Sequence, residues 1–276
     1  MSVVIFPNNN AQASLQIQIT AMGGPHPDEE LANDNDQASE LESDIASSTD
    51  SLSSSIIDYR KENGRTYHRY KDGKYNLPND DRESDRLDLQ HHLFLLSLND
   101  KLGLAPPNNP DFHAKRVLDL GTGTGLWAVD FGDEHPEVHQ NDDLQYRELA
   151  RISPLNIRLC CDAALKFGRE FQEFGKLKDL MAEIGFVDVV ETHLKWPSNT
   201  WPKDKRLKEI GAWNNENMGS GLEAFTMAPL TRGYGMTADE VNLLLVDVRK
   251  DLNNRAVHAY WPVYSLYAKK PESEPE

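Results

Sequence analysis

Cysteine is scarce in this chain: only Cys160 and Cys161 occur among 276 residues. Because the two are adjacent, they cannot form an ordinary structural disulfide with each other, and they lack the spacing of a zinc site. We interpret them as a buried pair in a helix, with a redox or metal role as the alternative, and we predict no metal site.

Positive charge and long hydrophobic runs are also missing. The chain has 29 lysines and arginines against 45 aspartates and glutamates, a net charge of −16, and no stretch that concentrates basic residues. Direct binding to nucleic acid phosphates is therefore not expected. No run approaches the roughly 18 apolar residues of a membrane span, and residues 1–6 lack the basic start and the length of a secretory signal. We expect a protein of the cytosol or nucleus that does not bind membranes.

Residues 1–57 contain no lysine or arginine at all. Their acidic residues are Asp28, Glu29, Glu30, Asp34, Asp36, Glu40, Glu42, Asp44 and Asp50. Serine, asparagine and glutamine are frequent in the same segment, so it has little apolar area to bury. We predict that residues 1–57 form a disordered acidic arm, that residues 58–271 form the folded domain, and that residues 272–276 form a short tail.

Residues 116–127, Arg-Val-Leu-Asp-Leu-Gly-Thr-Gly-Thr-Gly-Leu-Trp, are the most informative stretch. Residues 117–120 have the apolar pattern of a buried strand, a glycine-rich turn follows, and a helix is predicted from Leu126. Leu126 also stands where the dinucleotide fingerprint G-x-G-x-x-G requires its third glycine, so the pattern is G-x-G-x-G. An acidic residue two positions before such a loop is typical of class I S-adenosylmethionine methyltransferases. A glycine-rich turn without a ligand is the alternative.

The loop suits the methionine end of S-adenosyl-L-methionine. That end carries an ammonium group, with which the Asp119 carboxylate can pair. Glycines let the backbone turn tightly against such a ligand. The predicted cofactor-binding residues of the loop are Asp119, Gly121, Thr122, Gly123 and Gly125.

Further motifs resemble fungal methyltransferases of the LaeA type. They are ENGRTYH at 62–68, NDDRESDR at 79–86, KLKDL at 176–180, GFVDV at 185–189, WPKDK at 201–205 and HAYWP at 258–262. The resemblance covers most of residues 59–271 and implies a class I, Rossmann-like α/β methyltransferase fold, S-adenosyl-L-methionine as cofactor and a role in fungal secondary metabolism. Within the family, the chain resembles the accessory methyltransferase-like proteins of terrequinone-type gene clusters.

One block of the family pattern is missing. After residues 135–137 the family continues through a second strand with a ribose-binding acidic end, an adenine loop and two further strands. Here residues 138–144 run directly into a helical region, so about 60 residues are absent, the size of two βα units. In the family's sheet the first strand pairs with the fourth, and the last two pair with the fifth. We therefore predict an incomplete central sheet, whose strands either pair anew or leave a loose core.

The remaining site candidates follow from position and resemblance. Asp142 and Asp143 lie about 20 residues past the loop, where a ribose-binding carboxylate is expected, with a solvated turn as the alternative. Tyr67 is a candidate for the methionine end of the cofactor site. His258 is a candidate base toward the methyl acceptor, with a structural histidine as the alternative. Residues 186–190, 193–194 and 263–268 are predicted as strands, and residues 203–255 as a helical insertion over the substrate cleft.

Two functions fit these features. The first is S-adenosylmethionine-dependent methyl transfer to a small-molecule acceptor or a protein. The second is a catalytically degenerate accessory or regulatory protein that binds a pathway enzyme, an intermediate or a nuclear partner; the missing ribose and adenine segments favour it. Whether the cofactor binds separates the two, because a loop that holds only the methionine end gives weak affinity.

Overall fold

The computed structural model describes residues 2–6, 16–22, 59–69, 75–106, 117–120, 122–136 and 176–269. The strands in these ranges are β1 (Ser2–Phe6), β2 (Gln16–Met22), β3 (Arg60–Glu62), β4 (Arg65–Tyr67), β5 (Leu118–Leu120), β6 (Val187–Pro197) and β7 (Tyr260–Lys269). The helices are α1 (Asp81–Ser97), α2 (Leu126–Glu134), α3 (Leu177–Glu183), α4 (Lys205–Tyr234) and α5 (Ala238–Asn253). The described residues therefore form a mixed α/β protein.

The main sheet has the strand order β5-β1-β2-β7-β6, and each of its described pairs is antiparallel. Strands β3 and β4 form a separate hairpin. Its turn residues Asn63 and Gly64 have φ of 49° and 76°. Positive φ at both central residues is the property of a type I′ turn, which an Asn-Gly pair adopts most readily.

The predicted strands at residues 186–190 and 193–194 are one continuous strand, β6, and the predicted strand at 263–268 is confirmed as part of β7; β6 and β7 pair with each other. Side chains of a strand alternate between the two faces of the sheet. Trp261 and Val263 join a core cluster with residues of α1, α4, α5 and β6, whereas Leu266 and Ala268 pack with Met181 of α3. Helices therefore cover both faces of this half of the sheet.

Two segments of the predicted disordered arm, residues 2–6 and 16–22, are strands instead. Ser2–Phe6 and Gln16–Met22 are strands in the middle of the main sheet. Residues 3–6 are Val-Val-Ile-Phe, and β2 contains Ile17 and Ile19. These β-branched and aromatic residues have high β propensity, whereas all the acidic residues of the arm come after them. The acidic part, residues 28–50, lies outside the described residues.

In the sequence, the apolar repeat of Leu89, Leu93 and Leu96 predicts a helix that starts at Leu87. Helix α1 begins six residues earlier, at Asp81. The Asp80 side chain caps the helix by accepting a hydrogen bond from the Glu83 amide at 3.1 Å. An N-cap aspartate with acidic residues in the first turn favours an earlier start, because carboxylates stabilise the N-terminus of a helix. Helices α4 and α5 lie within the predicted insertion at 203–255, and Gly235 ends α4 with φ of 68°.

Candidate functional site

The glycine loop connects β5 to α2 by a tight turn. The Thr122 hydroxyl donates to the Asp119 carbonyl at 3.2 Å, and the Gly125 amide donates to the Thr122 carbonyl at 2.9 Å. Gly123 and Gly125 have φ of 60° and 86°. Residues with a Cβ adopt this left-handed region at a cost of roughly 1–2 kcal/mol. The pattern G-x-G thus fits the backbone at both described glycines, while Gly121 lies outside the described residues.

The N-terminus of α2 faces the loop without a side-chain cap. Gly125 is the N-cap residue, no side-chain hydrogen bond caps the helix, and its first turn contains no acidic residue. The first regular helix bond runs from the Val129 amide to the Gly125 carbonyl at 3.0 Å. The positive end of a helix favours an anionic group there. Half-buried Asp119 precedes this helix by a few residues and supplies negative charge, so the two together match a ligand end with both an ammonium and a carboxylate group.

Contacts with α1 fix the position of α2. The Trp127 indole donates to the Leu102 carbonyl at 2.9 Å, and His91 Nε2 lies 2.7 Å from Asp130 Oδ2. Phe131 is buried with Leu102, and its ring stacks on Trp127 with a centroid distance of 4.9 Å. Hydrogen bonds and packing on one face of the helix, at spacing i, i+3 and i+4, therefore hold the loop that precedes it.

Strand pairing places several predicted residues at one edge of the sheet. The last residue of β5, Leu120, pairs with Val3 near the start of β1. The end of β2 pairs with the early part of β7 at Met22 and Val263, and the end of β6 pairs with the start of β7 at Trp196 and Trp261. The glycine loop, the start of β7 and the end of β6 thus emerge at the same edge. β5 and β7 are three strand spacings apart, roughly 14 Å. The register places Leu120 level with Leu266, six residues after β7 begins at Tyr260, so the start of β7 lies roughly 20 Å farther along the strands than the loop.

His258 lies at this edge, two residues before β7, and is exposed. Its ring stacks on Trp201 with a centroid distance of 4.8 Å and an interplanar angle of 23°. The Trp201 indole donates to the Ala259 carbonyl at 2.8 Å, which ties the segment after β6 to the segment before β7. Lys195 lies 5.0 Å from the centroid of the Tyr260 ring, beside them. The edge therefore presents a histidine on an aromatic surface, and the role of His258 as a base stays a prediction.

Tyr67 belongs to a different cluster. It is 1% exposed, and the Arg232 guanidinium lies 4.8 Å from the centroid of its ring. Arg232 donates to both carboxylate oxygens of Glu62, at 2.6 Å from Nη2 to Oε2 and 3.2 Å from Nε to Oε1. The Tyr67 hydroxyl is buried and has no hydrogen-bond partner among the residues that the structure describes. Burial raises the pKa of Tyr67 to about 12, even though the Arg232 charge opposes the shift.

The same cluster reaches the first turn of α1 through Arg65. Its Nη2 donates to Asp80 Oδ1 at 2.7 Å. Burial opposes ionisation of Asp80, but the hydrogen bond and charge of Arg65 and the Glu83 amide outweigh it, so the pKa of Asp80 lies below its usual value. No described contact joins Tyr67 to the glycine loop: Tyr67 lies near the start of α1, whereas α2 contacts the second half of α1 and the turn after it. The assignment of Tyr67 to the cofactor stays a prediction.

Asp142 and Asp143 lie outside the described residues, so their predicted contact with the ribose is untested. The residues that the sequence reading missed are those of β1, which pair with β5 at Val3, Val4 and Ile5. A run of four apolar residues at the start of a polar segment was the signal that could have identified this strand.

Similarity to curated proteins identifies the family. The chain is 32% identical to "Methyltransferase pytC" of Aspergillus terreus over 83% of this chain and 93% of that protein. It is 28% identical to "Secondary metabolism regulator LAE1" of Cochliobolus heterostrophus, over 76% and 94% of the two chains. It is 27% identical to "Probable methyltransferase tdiE" of Emericella nidulans, over 69% and 83%. The chain therefore belongs to the LaeA-like methyltransferase family, a group of methyltransferase-like proteins of fungal secondary metabolism.

The length of the alignments is informative about the missing block. The alignment with pytC spans 304 positions but covers 83% of the 276 residues of this chain, about 229, so about 75 aligned positions lack a residue here. The alignment with "Secondary metabolism regulator laeA" of Monascus pilosus spans 353 positions and covers 97% of this chain, about 268 residues, which leaves about 85. Both numbers are comparable with the predicted absence of about 60 residues, the size of two βα units.

Other comparisons add no relative. No family model matches the chain, and no solved structure matches it. Within the described ranges, no helix has the length and apolarity to cross a membrane. Histidine, cysteine, aspartate and glutamate side chains in those ranges also form no group of three that could hold a metal ion.

Proposed function

We propose that this protein is an S-adenosyl-L-methionine-dependent methyltransferase that acts on a small-molecule acceptor of fungal secondary metabolism. The observation that carries the proposal is the glycine loop. Its left-handed glycines at 123 and 125, the uncapped helix behind them and Asp119 before them form a complementary site for the methionine end of the cofactor. Asp119 would pair with the ammonium group, and the N-terminus of α2 would bind the carboxylate.

The acceptor would bind at the same edge of the sheet. S-adenosylmethionine, when bound, supplies a methyl group activated by its sulfonium. The protein's main task is then to position the acceptor in line with that group. Exposed His258 stacks on Trp201 beyond the start of β7, and it would receive the proton of a hydroxyl acceptor long enough to reach from there to the loop. An aromatic surface beside it suits a flat, mainly apolar acceptor.

A specific observation favours a second function, a catalytically degenerate accessory protein that binds a pathway enzyme, an intermediate or a nuclear partner. About 75 positions of the alignment with pytC have no counterpart among the 276 residues of this chain. If the family's ribose and adenine segments are among them, the central sheet is incomplete and the adenosine half of the cofactor loses its contacts. Affinity for S-adenosylmethionine would then be weak, and the function of the protein would be to bind a partner and not to transfer a methyl group.

Isothermal titration of the full-length protein distinguishes these functions. The ligands are S-adenosylmethionine, S-adenosylhomocysteine and methylthioadenosine, which lacks the amino-acid end. The proposed enzyme binds the first two with micromolar affinity, and methylthioadenosine competes, because other residues form the adenosine site anew. Weak binding without competition means that only the methionine end is bound. Absence of binding by a protein with an intact unfolding transition contradicts the proposal and supports the accessory function.

A pair of glycine variants tests whether the loop is the binding site. Gly123→Val places a side chain in the loop at a φ of 60°, and Gly235→Val carries a similar strain at a φ of 68°, where a Cβ would meet nothing within 4 Å. We expect Gly123→Val to lose cofactor binding and Gly235→Val to keep it. Equal affinities in the two variants would show that the cofactor binds elsewhere.

A further inference from the structure

The hairpin of β1 and β2 is the link between β5 and the rest of the main sheet. β1 pairs with β5 at Val3–Leu120, Val4–Asp119 and Ile5–Leu118. β2 pairs with β7 over seven residues, from Gln16–Lys269 to Met22–Val263. Among the described residues, β5 has no other strand partner. A three-residue strand with one neighbour is too short to keep its position alone, so its order depends on β1.

The hairpin also lies where the family's fold has other strands. In that fold the fourth and fifth strands separate the first strand from the last pair, and here β1 and β2 separate β5 from β7 and β6. Two neighbouring parallel strands require a long crossover, whereas two antiparallel strands need only a short connection. A contiguous hairpin can therefore supply two central strands only with one of them reversed. β2 runs parallel in direction to β5, and β1 is the reversed strand.

The geometry points to a specific role for this hairpin: its strands, Ser2–Phe6 and Gln16–Met22, replace two central strands of the family's sheet and position the cofactor loop. Val4 lies opposite Asp119, and Val3 lies opposite Leu120, the last strand residue before the loop. The β1 backbone therefore fixes both the register of Asp119 and the point where the glycine turn begins. The cofactor part of this inference rests on the proposed function, whereas the strand replacement does not.

Cross-linking in the full chain tests the pairing directly. In a background with Cys160→Ser and Cys161→Ser, the matched pair is Val3→Cys with Leu120→Cys, and the control pair is Val3→Cys with Leu118→Cys. Residues opposite each other in antiparallel strands have Cα atoms about 4.5–5.5 Å apart, within the range of a disulfide, whereas the control pair is two positions out of register at about 7–8 Å. We expect the matched pair to oxidise within one chain and the control pair to stay reduced. Equal oxidation of the two pairs, or none, overturns the inference.

Hydrogen exchange tests the effect on the loop. Every interior amide of a strand with two neighbours bonds to one of them, so Val4→Pro removes a bond from β1. We expect the β5 amides that bond to β1 to exchange at least about tenfold faster in this variant, and cofactor affinity to fall by a similar factor; these amides belong to alternate residues of Leu118–Leu120. The control Ala38→Pro lies outside both strands and should change neither. Unchanged exchange of these β5 amides in Val4→Pro overturns the inference.

Two results separate this inference from the proposed function. If no form of the protein binds the cofactor, the proposed function fails, but the cross-link and the exchange rates still test the hairpin. If Val4→Pro does not fold, a synthetic peptide of residues 1–22 is added to it during refolding. Recovery of slow exchange in β5 supports strand replacement. Failure to recover, together with a matched cysteine pair that oxidises no more than the control pair, overturns it.

Discussion

The two halves of the main sheet differ in how they are held. β6 and β7 pair from Val187–Lys269 to Pro197–Tyr260, and helices cover both of their faces. β5, which carries the glycine loop, pairs over three residues and is backed by α2 with a small cluster around Leu102 and Phe131. The comparison indicates that most of the folding free energy lies away from the candidate cofactor loop. Ligand-binding loops commonly lie in the less stable part of a fold.

Buried amides strengthen the well-packed half. The Asn199 side chain donates to the Leu252 and Asn254 carbonyls at 2.9 and 3.2 Å, and the Asn214 side chain donates to the Pro197 carbonyl at 2.9 Å. These bonds join the end of β6 to α4 and to the end of α5. The bonds to the Leu252 and Pro197 carbonyls are buried, so there the amides satisfy acceptors that water does not reach. This half provides a rigid platform for the aromatic edge at Trp201.

The largest expected effect is a loss of global stability in Trp196→Ala. Trp196 is fully buried in β6, and its indole donates to the Ser97 hydroxyl at 2.8 Å. Truncation removes core volume and leaves that hydroxyl without its donor, so we expect a loss of about 3–5 kcal/mol in the free energy of unfolding. Denaturant unfolding followed by far-ultraviolet circular dichroism measures it.

Phe131→Ala is the counterpart in the other half. Phe131 is also buried, but its cluster is small. We expect a smaller fall in the global unfolding midpoint than for Trp196→Ala, together with faster hydrogen exchange across β5 and α2. If Phe131→Ala lowers the midpoint as much as Trp196→Ala does, the two halves unfold as one unit and the comparison fails.

Alanine substitutions at two glycines of α4 should give the next largest difference in stability. A Cβ at Gly211 would lie 2.2 Å from the Asn199 carbonyl oxygen, whereas a Cβ at Gly219 would meet Leu252 Cδ2 at 4.0 Å. Backbone at Asn199 has little room to move, so we expect Gly211→Ala to destabilise the fold by about 1–3 kcal/mol. Gly219→Ala should stabilise it by up to about 1 kcal/mol, because alanine is the better helix former. Thermal unfolding of the two variants checks the opposite signs.

Sequence reasoning predicted the elements whose signals are local. The strand, glycine turn and helix at residues 117–131, and the strands β6 and β7, follow from apolar patterns and glycine positions. The family resemblance identified the class of protein for the same reason, since its motifs are contiguous. The apolar repeat alone predicts a start of α1 that is too late, because an N-cap residue such as Asp80 determines where a helix begins.

What sequence reasoning could not predict depends on distant partners. The pairing of Val3 to Ile5 with β5 joins residues more than a hundred positions apart, and composition alone assigned them to the polar arm. The cluster of Tyr67, Arg232 and Glu62 is equally non-local. Its residues are ordinary surface types in sequence, and only the fold brings them into contact.

A smaller effect is expected at the cofactor loop itself. Asp119→Asn keeps the size of the side chain but removes the charge that would pair with the ammonium group. A hydrogen bond to a charged group contributes about 1.5–3 kcal/mol, so affinity for S-adenosylmethionine should fall roughly ten- to a hundredfold. Asp133→Asn is the control, because Asp133 is exposed on α2 and the change in net charge is the same. Equal affinities of the two variants in calorimetry would remove Asp119 from the site.

The smallest effect on stability is expected for Tyr67→Phe. The variant removes a buried hydroxyl that has no hydrogen-bond partner and keeps the ring beneath Arg232, so the free energy of unfolding should change by less than about 0.5 kcal/mol. Because burial raises the pKa of Tyr67 to about 12, the folded state favours the neutral phenol. The neutral Tyr67 phenol contributes to the free energy of unfolding in full below the pKa of tyrosine in the unfolded chain, near 10. This contribution is lost as the pH rises through the pKa of Tyr67 in the folded protein.

Absorbance at 295 nm follows this ionisation among the nine tyrosines of the chain. We expect one late step near pH 12 in the unmodified protein and its absence in Tyr67→Phe. A loss of stability above about 1.5 kcal/mol in this variant would mean that the hydroxyl has a partner in solution. Unchanged stability with at least tenfold weaker cofactor binding would instead place Tyr67 at the cofactor, and would bring the cluster at the start of α1 into the same site as the glycine loop.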